Sequence, residues 1–123
     1  MRELMGEFDQ RLERGKGALS IPNKIKVAGI VYTVEEKDVV IIDDCAGYVG
    51  LYNYKDTRIE ILKDMTLQRK QETLVHEVLH AVLFEFGLKD HDEELVERAA
   101  QVLYQVLKDN PNLLGNYQTS IVQ

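Results

Sequence analysis

Three residues within one five-residue stretch have the types and spacing to do chemistry together: His76, Glu77 and His80, in the run His76-Glu77-Val78-Leu79-His80. On an α-helix four residues turn the chain through about 400°, so His76 and His80 stand one above the other on the same face. Their imidazoles are then one turn apart, the separation at which both can bind one Zn²⁺. On the same wheel Glu77 lies about 100° from His76 and about 60° from His80, close enough to reach a water at the metal without competing as a ligand. This arrangement suits hydrolysis: the metal acidifies water and polarises a scissile carbonyl, while the carboxylate takes the proton and passes it to the leaving amine. The expected roles are His76 and His80 as zinc ligands and Glu77 as catalytic base. The bland alternative is a polar patch satisfied by hydrogen bonds. It is weakened by the surroundings, because two histidines and an acid have little reason to interrupt an apolar face unless something pairs with them.

A catalytic zinc usually has three protein ligands and one open position, so a third donor must come from elsewhere in the chain. The downstream candidates are His91, Glu93, Glu94 and Glu97. On the wheel of a final helix Glu93 and Glu97 share a stripe with Ala100 and Tyr104, whereas Glu94 points about 100° further toward solvent. His91 precedes that helix and reads as part of its start, beside Asp92. Glu97 fits if the two helices run back to back with an overhang beyond His80. Glu93 fits if the loop from Leu88 to Asp92 makes the return by itself. Glu93 is favoured, with Glu97 as the alternative, and Tyr104 is a candidate for a supporting or oxyanion-binding role, with plain core packing as its alternative.

The elements that must hold these residues can be read from periodicity. From Lys24 the apolar period is two (Ile25, Val27, then Ile30, Tyr32, Val34), with Ala28-Gly29 placed to reverse the chain, which predicts a hairpin. A second hairpin is expected where Tyr48, Gly50, Tyr52 and Tyr54 alternate with other residues and lead through Lys55-Asp56 to Ile59 and Ile61. Together these predict a small, mainly antiparallel sheet. Val39 to Ile42 reads equally as a strand or a buried bend. After Asp64 the period becomes 3.6: Leu74, Val75, Val78, Leu79, Val82, Leu83 and Phe86 mark a helix over about 66–86 that Gly87 stops. Leu95, Val96, Ala99, Val102, Leu103, Val106 and Leu107 mark a second helix that ends at Asn110-Pro111. Residues 1–20 read as a short helix or arm and 112–123 as a loose tail.

Length and composition bound the function class. The 123 residues amount to one domain, and 45% apolar with 29% charged residues is an ordinary globular composition. Fifteen Lys and Arg against 21 Asp and Glu give a net charge of −6, with no basic cluster, which argues against nucleic acid as a ligand. The longest aliphatic run, Val39-Val40-Ile41-Ile42, is far short of a membrane span, and Met1-Arg2-Glu3 does not begin a signal-like apolar segment. One cysteine, Cys45, cannot form an internal disulfide and reads as a core or loop thiol. A cytoplasmic protein is expected.

The segment from Thr73 to Pro111, with HEVLH followed by a glutamate-bearing second helix, resembles small phage- and prophage-associated zinc metallopeptidases of the ImmA/IrrE type, in the gluzincin group. The resemblance spans roughly residues 24–111. It implies an α+β, minimal zincin-like fold in which a small, mainly antiparallel sheet packs against the HExxH helix and a second helix closes the site. It further implies one Zn²⁺ per chain held by His76, His80 and a glutamate matching Glu93, with Glu77 as catalyst. It suggests a protein or peptide substrate such as a phage repressor. Family members often carry Glu-Ala-Asn on the second helix, where this chain has Glu97-Arg98-Ala99. By analogy, the strand nearest the metal-bearing helix, expected at Arg58 to Leu62, would hold an extended peptide along the sheet edge. Tyr48, Tyr52 and Tyr54 would line a groove or pack on the sheet face. A rival function with the same ligands is a non-catalytic, zinc-stabilised protein-binding module.

Overall fold

The first hairpin forms where the period of two and the Ala28-Gly29 pair place it. Strand β1 (Lys24–Val27) pairs antiparallel with β2 (Ile30–Lys37) in the register Val27↔Ile30 to Lys24↔Thr33. The two turn residues take φ values of 52° and 83°, the pair of positive values a type I′ turn needs and the reason a glycine stands second. These strands belong to a computed structural model of the chain that describes residues 20–115. The expected N-terminal helix or arm, Ser20 apart, and the tail beyond Gly115 lie outside the described residues.

The second hairpin pairs β5 (Gly50–Asn53) antiparallel with β6 (Arg58–Leu62). Its turn is organised by Asn53, whose Oδ1 accepts from the backbone N–H groups of Lys55 and Asp56 at 3.0 and 3.1 Å. Between the hairpins the undecided Val39 to Ile42 run contains β3 (Val40–Ile42), paired with β4 (Cys45–Tyr48) in a separate two-stranded sheet. Cys45 is an exposed free thiol on β4.

The two hairpins meet through a parallel pairing of β2 with β6, Thr33↔Arg58 to Lys37↔Leu62, so the four-stranded sheet is mixed, in the order β1-β2-β6-β5. Antiparallel pairings predominate, as expected, and the parallel join of β2 to β6 is the feature that the period of two did not reveal. Each hairpin's internal register follows from its turn, but the join between hairpins is set by the segment from Asp38 to Val49, which brings the chain back so that β6 enters alongside β2.

Helix α1 (Leu67–Glu85) covers one face of this sheet and α2 (Glu93–Asp109) packs on α1 rather than on the sheet. The fold is therefore α+β. Thr66 caps α1 by accepting from the Arg69 N–H at 3.2 Å, and Asp92 caps α2 by accepting from Glu94 and Leu95 at 3.0 and 3.3 Å. Gly87 ends α1 at φ 105°, with the Leu88 N–H donating to the Leu83 carbonyl at 2.9 Å, as in a Schellman stop. Tyr32, Ile59 and Ile61 are fully buried at the centre of the core, with Leu74 and Ala81 of α1 packed among them.

The buried line of α1 keeps Leu74 of the expected stripe, with Val78 half-buried against the core, and departs from it elsewhere. Leu74, Glu77, His80 and Ala81 are buried, whereas Val82 and Phe86 are exposed. The sheet and α2 approach α1 from directions that rotate its inward line toward the polar residues of the site. On α2 the buried residues are Val96, Ala100 and Tyr104, and Leu95 and Val102 are exposed.

Candidate metal centre

Histidine spacing on α1 and the first turn of α2 converge on one point. Glu93 lies between the two imidazoles, with Oε2 at 3.0 Å from His80 Nε2 and Oε1 at 3.4 Å from His76 Nε2. Donor atoms of His76, His80 and Glu93 all lie within 4.8 Å of one another, a group able to hold a metal ion. The short connection after α1 makes the return by itself and delivers the first helical residue of α2 to both histidines, the condition under which Glu93 was the favoured third donor.

Glu97, the alternative, has a different place. One turn further along α2, its Oε1 approaches His76 on the other ring nitrogen, Nδ1, at 3.1 Å. Its Oε2 accepts from the Gln101 amide at 3.0 Å. A carboxylate on the far nitrogen of a histidine holds the ring with Nε2 turned to the site, the usual outer support of a metal ligand.

His80 is supported on one face and at its edge. Its ring lies over Tyr52 at an interplanar angle of 12°. Its Nδ1 is 2.7 Å from Nδ1 of His91, and the other nitrogen of His91, Nε2, is 2.7 Å from the Leu88 carbonyl oxygen. Sequence reasoning weighed His91 as a possible third ligand and read it as part of the start of α2, and did not see it as a partner of His80. The available signal was its position, two residues before Glu93. Burial holds the His80 imidazolium below its ordinary pKa, against the pull of the Glu93 carboxylate.

Glu77 is the one acid of the site that is buried, at 8% exposure. Among the described residues its carboxylate has no hydrogen-bonding or ion-pair partner. Burial first, and the negative charge of Glu93 second, push its pKa up to about 8. The Cα of Gly50, which opens β5, presses against it: a Cβ there would stand 2.5 Å from Thr73 Cγ2 and 2.8 Å from Glu77 Oε2. Glycine is required here for close approach of strand to helix, since the backbone itself is ordinary.

The site opens into a cleft of about 1310 Å³, walled by β5 on one side and α2 on the other and reaching Ile42 and Tyr48 of the small sheet. Tyr52 lines it, but Tyr54 instead stacks on Phe84, with ring centroids 4.2 Å apart. Tyr104 is buried, and its hydroxyl donates to Gln71 Oε1 of α1 at 2.9 Å, so its O–H is already committed to joining the two helices. The strand expected to offer a sheet edge, Arg58 to Leu62, is β6, an interior strand flanked by β2 and β5. The edge beside the site is β5. Register alone cannot reveal this, because either strand of a hairpin can be the outer one until the other hairpin docks.

Among the described residues no helix is long and apolar enough to cross a membrane. Comparison with protein-family models, with curated proteins and with solved structures yields no match.

Proposed function

We propose that this chain is a zinc-dependent peptidase with a minimal zincin-like fold, of the ImmA/IrrE kind, hydrolysing peptide bonds of a cytoplasmic regulatory protein. The observation that carries this reading is the convergence of His76, His80 and Glu93 beside a buried, unpartnered Glu77. The donor set fits zinc: two neutral imidazoles and one carboxylate are a common catalytic set, and Glu97 on His76 supplies the outer support such ligands usually have. Three donors also leave a position free, which a purely structural site would fill with a fourth. When bound, zinc supplies Lewis acidity to a carbonyl and to water.

The chain's own residues account for the rest. A carboxylate kept from solvent, with no donor to stabilise its charge, binds a proton avidly, as a general base should. Glu77 therefore takes a proton from water at its carboxylate oxygen and returns it to the departing amine. The cation would stabilise its ionised form, offsetting the burial and the Glu93 charge that raise its pKa. Edge strand β5 lies along the cleft beside Glu77, where an extended peptide could pair with it and present a carbonyl to the site.

The test is zinc content of the purified protein and of His76→Ala, followed by cleavage of a peptide library by wild type and Glu77→Gln. About one zinc per chain, lost in His76→Ala, with cleavage confined to wild type, is the expected result. Equal, substoichiometric zinc in both proteins would end the metal reading. Stoichiometric zinc held by four protein ligands, without turnover, would replace the peptidase with a zinc-stabilised binding module.

A further inference from the structure

His91 makes two contacts that together fix where protons sit, and they lead to a residue role that neither the HExxH pattern nor the choice of third ligand contains. The nitrogens of His80 and His91 are 2.7 Å apart while the ring centroids are 4.9 Å apart and the rings are within 16° of parallel. The imidazoles therefore meet edge to edge, with the N···N line close to both ring planes, as an N–H···N hydrogen bond requires. Only one of the two facing nitrogens can carry the hydrogen. At its other end His91 Nε2 is 2.7 Å from the Leu88 carbonyl oxygen, which can only accept. His91 Nε2 must therefore be the donor there, and in neutral His91 the lone pair is left on Nδ1. That lone pair accepts from the Nδ1–H of His80, while His80 Nε2, 3.0 Å from an acceptor oxygen of Glu93, is the nitrogen that a metal ion between them would take.

We infer that His91 is a positioning residue for the metal site: it holds His80 in the Nδ1–H tautomer, with Nε2 free to ligate, and anchors that arrangement to the backbone of the interhelical turn through Leu88. This rests on the zinc reading, and it deepens it by assigning the partner of the second histidine. The two ligands then have unlike supports: Glu97, a carboxylate, on His76 Nδ1 and His91, an imidazole, on His80 Nδ1.

Two substitutions separate support from mere packing. His91→Leu keeps bulk and removes the acceptor, whereas His91→Asn can place its Oδ1 where the Nδ1 lone pair was. Zinc affinity, measured by competition with a chromogenic chelator, should fall roughly 10- to 100-fold in His91→Leu, with most of it recovered in His91→Asn. In ¹⁵N-labelled wild type, zinc-loaded and chelator-stripped, a scalar coupling through the hydrogen bond should link His80 Nδ1 to His91 Nδ1, and it should be absent from both variants. Thermal unfolding of each variant controls for loss of fold. Equal affinity loss in the two variants, no loss in either, or no nitrogen–nitrogen coupling in wild type would overturn the role of His91. A wild type that shows the coupling but takes up no zinc would instead locate the failure in the metal reading and end the positioning role with it.

Discussion

At the scale of single residues, the site gives its glutamates unlike surroundings. Glu77 and Glu93 are both glutamates beside the same histidines, yet one is buried without partners and the other bridges two imidazoles. Glu77→Gln keeps the shape but cannot accept a proton, so zinc content should be unchanged while turnover of a cleaved peptide falls by about 10²- to 10⁴-fold. Glu93→Gln should weaken zinc binding by more than the roughly 10- to 100-fold typical of outer contacts, with Glu97→Gln staying within that range. A reversed ranking in the chelator competition would move the third ligand to Glu97. In the chelator-stripped protein Glu77 also sets a pH dependence. Its folded-state pKa, pushed up from 4.5 to about 8, means that the folded chain keeps a proton the unfolded chain has released. The contribution of Glu77 is therefore full below about pH 4.5 and lost as pH rises through 8, with a slope of at most about 1.4 kcal/mol per pH unit. His80, held below 6.5, acts oppositely, its contribution being lost as pH falls. The Glu77 effect is thus read cleanly between pH 6.5 and 8, where urea unfolding midpoints should decline in wild type and stay level in Glu77→Gln.

Among the elements, the contact between β5 and α1 decides how closely a strand edge can approach the helix that carries His76, Glu77 and His80. Gly50 has Thr73 Cγ2 and Glu77 Oε2 where its own Cβ would be, at 2.5 and 2.8 Å. Thr73 is β-branched in a helix and has little rotamer freedom to give way. Gly50→Ala should therefore destabilise the protein by about 1–3 kcal/mol, the usual cost of forcing a methyl into a packed contact. Adding Thr73→Ser, which deletes Cγ2, should restore part of the loss. A double-mutant cycle by urea unfolding measures this coupling, and strict additivity of the two changes would show that β5 does not press on α1 there.

For the whole molecule, α2 stands as an outer layer held through α1, with a short buried line of Val96, Ala100 and Tyr104 and much of its apolar surface exposed. A metal bridging His76 and His80 to Glu93 would add a tie between the two helices. Zinc at 1,000 times its dissociation constant should stabilise the fold by about 4 kcal/mol. Hydrogen exchange should localise the gain: amides in the first turns of α2 should slow on zinc binding more than those of β2 and β6, whose pairing does not involve the site. Uniform slowing throughout the chain would mean that α2 is not a separately opening layer.

The sequence by itself determined what is local. His76, Glu77 and His80 share a helix because their spacing and the surrounding period of 3.6 act within one turn, and Thr66, Gly87 and Asp92 mark the ends through caps that involve only near neighbours. Each hairpin was legible for the same reason, since turn residues set register directly. The parallel join of β2 to β6, the burial of Glu77 and the edge position of β5 were decided only in the tertiary structure. They depend on which way one packed unit docks on another, a balance of long-range burial that no window of sequence contains. The partners of the two histidines fall between these cases. Glu93 was readable as a donor on a favoured helix face, whereas Glu97 and His91 became supports only when the turn between the helices set their distances to opposite sides of His76 and His80.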